Sequence, residues 1–122
     1  MPYEIHWEPT GVRWIYRGTL SDEDVLESNR EVNEDPRFER ILYQIVDLRA
    51  VERFAATAAT VREVSRTDTN LSADNPQIRV AMVANTDLTR GMAQVYQLAC
   101  GEDAWDVEVF DTIEEAREWL KR

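Results

Sequence analysis

Asp47, Arg49, Arg53, Asn85, Asp87 and Arg90 are the side chains of this sequence best suited to hold a polar ligand. Two carboxylates, three guanidinium groups and an amide would orient such a ligand. With one carboxyl displaced in pKa they would also serve as acid and base. Each has a plainer use: Asp47 and Asp87 as helix caps, the arginines as partners of surface carboxylates. His6, the only histidine, sits in an alternating segment with no companion nucleophile or carboxylate expected in local register, and a structural or solvent-facing role is expected for it. Cys100 falls near a helix end, whose negative pole raises a thiol pKa, so an inert cysteine is expected. A small enzyme built on Asp47, Arg49 and Asp87, or on His6, is the alternative to a binding role, but the reading assigns no catalytic residue, no metal site and no cofactor.

The elements that must carry these residues are legible from periodicity and caps. Residues 3–8 and 12–18 alternate in polarity around Pro9, Thr10 and Gly11, the signature of an antiparallel hairpin. Ser21, with Asp24 three residues on, caps a helix running to about Asn33; Pro36 stops it, and Phe38 folds back onto the core. Residues 41–48 are nearly all apolar and read as a central strand, residues 78–84 as a second buried strand, and residues 105–110 as a last strand nearer the edge.

Between them, residues 54–66 read as an alanine-rich helix with Phe54, Ala58, Val61 and Val64 on one stripe, followed by a polar loop over residues 67–76. Leu88, Met92, Val95 and Ala99 share one face of a third helix ending near Gly101. Thr112 and Glu115 cap a fourth, whose buried stripe is Ile113, Ala116 and Leu120, flanked by Trp119. The order is ββαβαβαβα: an α/β protein with a five-stranded, mostly parallel sheet opening on an antiparallel hairpin, its crossovers right-handed. In such a sheet the binding crevice lies beyond the carboxyl ends of the strands, where the six polar residues fall. Phe54 and Ala58 would add an apolar wall, and the small residues around them would admit a groove or a second copy of the chain.

The 122 residues match one domain spanning residues 1–122, with enough apolar material, 43%, for a core. One cysteine rules out an internal disulfide or a cysteine-ligated zinc, and no apolar run is long enough to span a membrane. A cytoplasmic protein is expected. The net charge of −10 repels nucleic acid phosphates and anionic headgroups. Arginine supplies every basic residue except Lys121, as a GC-rich genome or a salt-adapted proteome would produce. The tryptophans Trp7, Trp14, Trp105 and Trp119 are read as core packing.

Several strings resemble the SpoIIAA-like family, which shares a fold with STAS domains and is similar to the CRAL-TRIO lipid-binding fold. They are Gly18-Thr19-Leu20-Ser21, Asp35-Pro36-Arg37-Phe38, Val46-Asp47-Leu48-Arg49, and Val109-Phe110-Asp111 leading to Glu115-Ala116-Arg117-Glu118-Trp119-Leu120. The resemblance implies a non-catalytic binding or regulatory module for a protein partner or a lipophilic small molecule. The best-known members carry a phosphorylated Ser or Thr directly after an aspartate at the end of the third strand. Here Leu48 follows Asp47, so that switch is not expected. A homodimeric scaffold joined through the alanine-rich helix is the remaining alternative.

Overall fold

The structure, a computed structural model, describes residues 2–100 and 104–122. Strands β1 (Tyr3–Glu8) and β2 (Gly11–Leu20) pair antiparallel. Strands β3 (Tyr43–Phe54), β4 (Arg79–Val83) and β5 (Asp106–Phe110) follow in parallel, giving one sheet in the order β1-β2-β3-β4-β5. Helices α1 (Asp22–Asn33), α2 (Ala58–Asp74) and α3 (Asp87–Cys100) make the three crossovers, and α4 (Ile113–Leu120) closes the chain. The expected order of elements is present. A short 3-10 helix (Pro36–Arg40) is added, and it delivers Phe38 to the core beside Trp105 at a ring separation of 6.0 Å.

Period-2 alternation divides each strand between two faces. Trp14, Tyr16, Leu48, Val80, Met82 and Val107 point toward α1, α2 and α3 and form the larger core. Ile45, Ala81 and Val83 point the other way, where α4 covers them with Ile113, Ala116, Trp119 and Leu120. The caps explain the helix starts. The Ser21 hydroxyl accepts from the Asp24 N–H while the Asp24 carboxylate accepts from the Ser21 N–H, at 3.2 and 3.1 Å. The Thr112 hydroxyl accepts from the Glu115 N–H at 3.1 Å. Of the tryptophans, Trp14 and Trp105 are buried, whereas Trp7 and Trp119 are partly exposed beneath the guanidinium groups of Arg37 and Arg79, 4.3 and 3.9 Å from the ring centroids.

Three expectations need correction. First, the helix read over residues 54–66 starts later: β3 continues to Phe54, and the helix begins at Ala58 with Thr57 as its cap. β3 stays paired with β2 until Leu20 lies opposite Phe54, through two register shifts that each place one extra β3 residue against β2; the second falls at Gly18, whose φ of +65° suits glycine. Ala58 is therefore exposed at the helix start, and of the supposed stripe Val61 and Val64 face inward from the helix while Phe54 does so from the end of β3.

Second, most of the loop read over residues 67–76 is the last part of α2, which runs to Asp74. Its inner face there is built from Asp68 and Ser72, polar residues that are nonetheless buried, and hydropathy alone does not mark them.

Third, α3 is rotated relative to the stripe read from its apolar residues. Thr89, Ala93 and Cys100 are buried, with Met92 and Tyr96 packed beside them, while Leu88, Val95 and Ala99 face out. Reciprocal bonds at its start set this orientation: the Thr89 N–H donates to the Thr86 hydroxyl at 3.1 Å and the Thr86 N–H donates to the Thr89 hydroxyl at 3.2 Å. The helix stop assigned to Gly101 lies outside the described residues.

Candidate functional site

Helix α2 bridges α1 and α3 over the sheet without filling the space beneath it. A partly open cavity of about 100 Å³ remains. Its floor is Trp14, Tyr16 and Leu20 of β2, Gln44, Val46, Leu48 and Phe54 of β3, and Val80 and Met82 of β4. Its walls are Val25 and Asn29 of α1, Val61, Val64 and Asp68 of α2, and Met92 and Tyr96 of α3. Val46 lies in the middle strand of the sheet yet is only half-buried, because the cavity reaches it. A void of this size and lining is comparable to engineered apolar cavities of ~150 Å³ that take up benzene.

Polar groups on this lining are few and unevenly satisfied. Asp68 is 7% exposed, and its Oδ2 accepts a hydrogen bond from the Tyr96 hydroxyl. Burial pushes the Asp68 carboxyl up to about 7, against the opposing pull of that hydrogen bond. Burial likewise drives the Tyr96 hydroxyl well above its ordinary range, helped by the neighbouring carboxylate. Cys100 belongs to the same cluster, and burial raises its thiol, in keeping with the inert cysteine expected. Tyr16 bonds Ser28 of α1 at 2.5 Å, which satisfies both hydroxyls at the back of the cavity. On this lining the buried Trp14 Nε1–H has no partner, and the Gln44 amide and Asp68 Oδ1 make no side-chain hydrogen bond among the described residues.

Of the eight site residues read from the sequence, Phe54 alone lines this cavity. Asp47 lies on the opposite face of β3, the α4 side, and is gripped by Arg49, whose Nε and Nη2 donate at 3.0 and 2.9 Å. The Arg49 backbone N–H donates to it as well, so Asp47 caps no helix. Register sets Asp47 beside Val83 and Val83 beside Phe110, so the strand ends do bring Asp47, Asn85 and Asp111 to one edge. There Arg90 pairs with Asp111 at 2.6 Å. Asn85, Asp87, Arg53 and Ala58 are exposed. His6 contacts Glu4 at 3.3 Å, which corrects the expectation of no carboxylate in register: alternation puts the two side chains, two residues apart, on one strand face. Both side chains are nearly half exposed.

The residues missed were Asp68 and Tyr96. Their signal was present: an acidic side chain ten residues into a helix otherwise facing inward with Val61 and Val64, opposite a tyrosine on the next helix. Among the described residues no group of three or more His, Cys, Asp or Glu could hold a metal ion, and no helix is long and apolar enough to cross a membrane.

Sheet order, same-face crossovers and a lone helix behind the sheet define an α/β domain of the STAS-like class. The chain matches the SpoIIAA-like family over residues 12–121 and belongs to that family. Among solved structures it is similar to the anti-sigma factor antagonist SpoIIAA in its unphosphorylated form, with 16% identity, a TM-score of 0.66, and 98% of this chain and 97% of that one covered. The phosphorylated form of the Bacillus cell fate determinant SpoIIAA gives 16% identity and a TM-score of 0.63, covering 97% and 98%. An uncharacterized protein with a SpoIIAA-like fold from Shewanella loihica gives 14% and 0.55, covering 97% and 91%. At these identities the likeness is one of fold. Comparison with curated proteins finds no match.

Proposed function

We propose that this chain is a non-catalytic cytoplasmic binding module that takes a small lipophilic molecule into the cavity beneath α2. The observation that carries the reading is the cavity itself: apolar side chains of three strands and three helices converge on a space that no side chain of the protein fills. Phe54 would touch the ligand. The bidentate Asp47–Arg49 pair speaks against Asp47 as a free base. A phosphoryl switch is absent from this reading: Leu48, which follows Asp47, is a buried cavity residue in the interior of β3.

The test uses the methyl groups of Met82 and Met92, which line the cavity from opposite sides. Saturable shifts of both carbon-13-labelled methyls on titration with toluene are expected, lost in Val61→Phe, which fills the space. Unmoved methyls up to the solubility limit of toluene would reject the reading.

A protein partner is the second reading, favoured by the outer face of α3. Leu88, Val95 and Leu98 are 45%, 53% and 82% exposed there, an apolar stripe on an otherwise acidic protein. Asp47, Arg49, Arg53, Ala58, Asn85, Asp87 and Arg90, which lie outside the cavity lining, would belong to such a partner-facing surface. A second copy of the chain is one form of that partner.

A further inference from the structure

The cavity lining is mostly apolar; its polar side chains are Asn29, which bonds Val25 O, the hydroxyls of Tyr16 and Tyr96, the Gln44 amide on the floor, and Asp68, the one carboxyl, which enters from α2. Oδ2 of that carboxyl is occupied by the Tyr96 hydroxyl, and Oδ1 makes no hydrogen bond among the described residues. Oδ1 is not sealed into the protein either, since the buried side-chain atoms without partners are Arg13 Nε and Trp14 Nε1. An unsatisfied carboxyl oxygen thus sits on a lining that includes Val46, Val64, Met82 and Met92, with the neutral Gln44 amide as the other polar group there that is neither bonded nor sealed.

We propose that the cavity takes a small, largely apolar molecule bearing one hydrogen-bond donor, a hydroxyl or an amine, seated on Asp68 Oδ1, and rejects the corresponding carboxylates. The inference rests on the cavity being a ligand site and adds the chemistry of the head group. A donor placed on Oδ1 supplies the partner that burial has taken from water, and a buried acceptor gains most from such a partner. A ligand carboxylate in the same place would set two acceptors, and two like charges, against each other in a poorly solvated space. Volume limits the body: about 100 Å³ admits a single ring or a short chain without displacing α2. At pH 8, above the value of about 7 to which burial raises it, Asp68 is mainly ionised and Oδ1 accepts; in the protonated form Oδ2 still takes the Tyr96 hydroxyl, so Oδ1 carries the proton and donates.

Four probes of one size separate the head from the body: toluene, benzyl alcohol, benzylamine and benzoate, titrated at pH 8 against the Met82 and Met92 methyls and a carbon-13-labelled Asp68 carboxyl. Benzyl alcohol or benzylamine is expected to bind at least about tenfold more tightly than benzoate and to move the Asp68 carboxyl resonance. In Asp68→Asn, which keeps an acceptor and loses the charge, the gap to benzoate is expected to close to within about threefold. Toluene binding accompanied by equal affinities for alcohol, amine and acid in the unsubstituted protein would overturn the head-group assignment while leaving the cavity reading intact. Failure of toluene itself would remove both. The carboxyl resonance needs no variant, so the test stands even if Asp68→Asn does not fold.

Discussion

The hydroxyl of Tyr96 on α3 donates to the carboxylate of Asp68 on α2, and this bond ties together two helices that otherwise meet through apolar contacts around the cavity. A carboxyl held there is a folded-state liability whose size depends on pH.

Asp68 is shifted up from 3.8 to about 7 by burial. The folded chain therefore keeps a proton that the unfolded chain releases, and stability must fall as pH rises from about 4 to about 7, then level off. Three pKa units correspond to a loss on the order of 4 kcal/mol across that window. The other titratable groups facing Asp68 are Tyr96 and Cys100 on α3 and Tyr16 on β2, all with raised pKa values, so none of them titrates in the window. Glu8 and Asp22, lowered by Arg117 and by the Thr57 N–H, act in the opposite sense at more acid pH. The difference between the unsubstituted protein and Asp68→Asn isolates the effect. Urea unfolding from pH 4 to pH 8 should show the variant gaining on the parent as pH rises, and parallel curves would remove Asp68 as the cause.

Removing the cap hydroxyl with Ser21→Ala should cost about 1 kcal/mol, because the Asp24 N–H loses its acceptor and the reciprocal bond loses its geometry. Thermal unfolding reads this directly. Ser21→Asp, which restores an acceptor, should recover most of the loss.

That cap was legible in the sequence, and the contrast with α2 shows why some elements are readable and others are not. Ser21 with Asp24 and Thr112 with Glu115 are local devices, complete within four residues, so spacing alone reveals them. The end of β3 is not local: residues 49–54 are strand because they pair with β2 through the register shifts near Gly18, across more than thirty positions. Alanines beside Phe54 favour a helix on propensity, and tertiary pairing overrides them. The cavity was hidden for a related reason. Asp68 shares a helical face with Val61 and Val64, yet hydropathy alone assigns Asp68 and Ser72 to the surface, and it is the packing of α2 against α3 that buries them. Rotation of α3 by its Thr86–Thr89 cap exchanged exposed Leu88 and Val95 for buried Thr89 and Ala93, which hydropathy would order the other way.

Gly11 illustrates a steric requirement that spacing does not reveal. A Cβ at this position would overlap the ring of Tyr43 on the neighbouring strand, and the Tyr43 hydroxyl is tied to Glu8, which Arg117 holds in turn at 2.7 and 3.1 Å. The ring cannot swing aside without breaking that chain of bonds between β1, β3 and α4. Gly11→Ala should therefore cost about 1–3 kcal/mol, the range for overpacking. In a Tyr43→Ala background the same substitution should cost little. An equal cost in both backgrounds, measured by denaturant unfolding, would place the penalty in the backbone instead of in the contact.

Tyr96→Phe tests the link between the two helices. It removes the donor to Asp68 Oδ2 while keeping the ring that packs against the core. That hydrogen bond lowers the Asp68 pKa, so its loss should drive the carboxyl higher still and extend the fall in stability to more alkaline pH. Above that range the variant carries a buried carboxylate without its donor and should lose about 1–3 kcal/mol relative to the parent. A double-mutant cycle with Asp68→Asn at pH 8 separates the bond from the packing of the ring. If the two stability changes simply add, the hydroxyl acts elsewhere; a departure from additivity, together with the shifted pH profile, assigns the coupling of α2 to α3 to this pair.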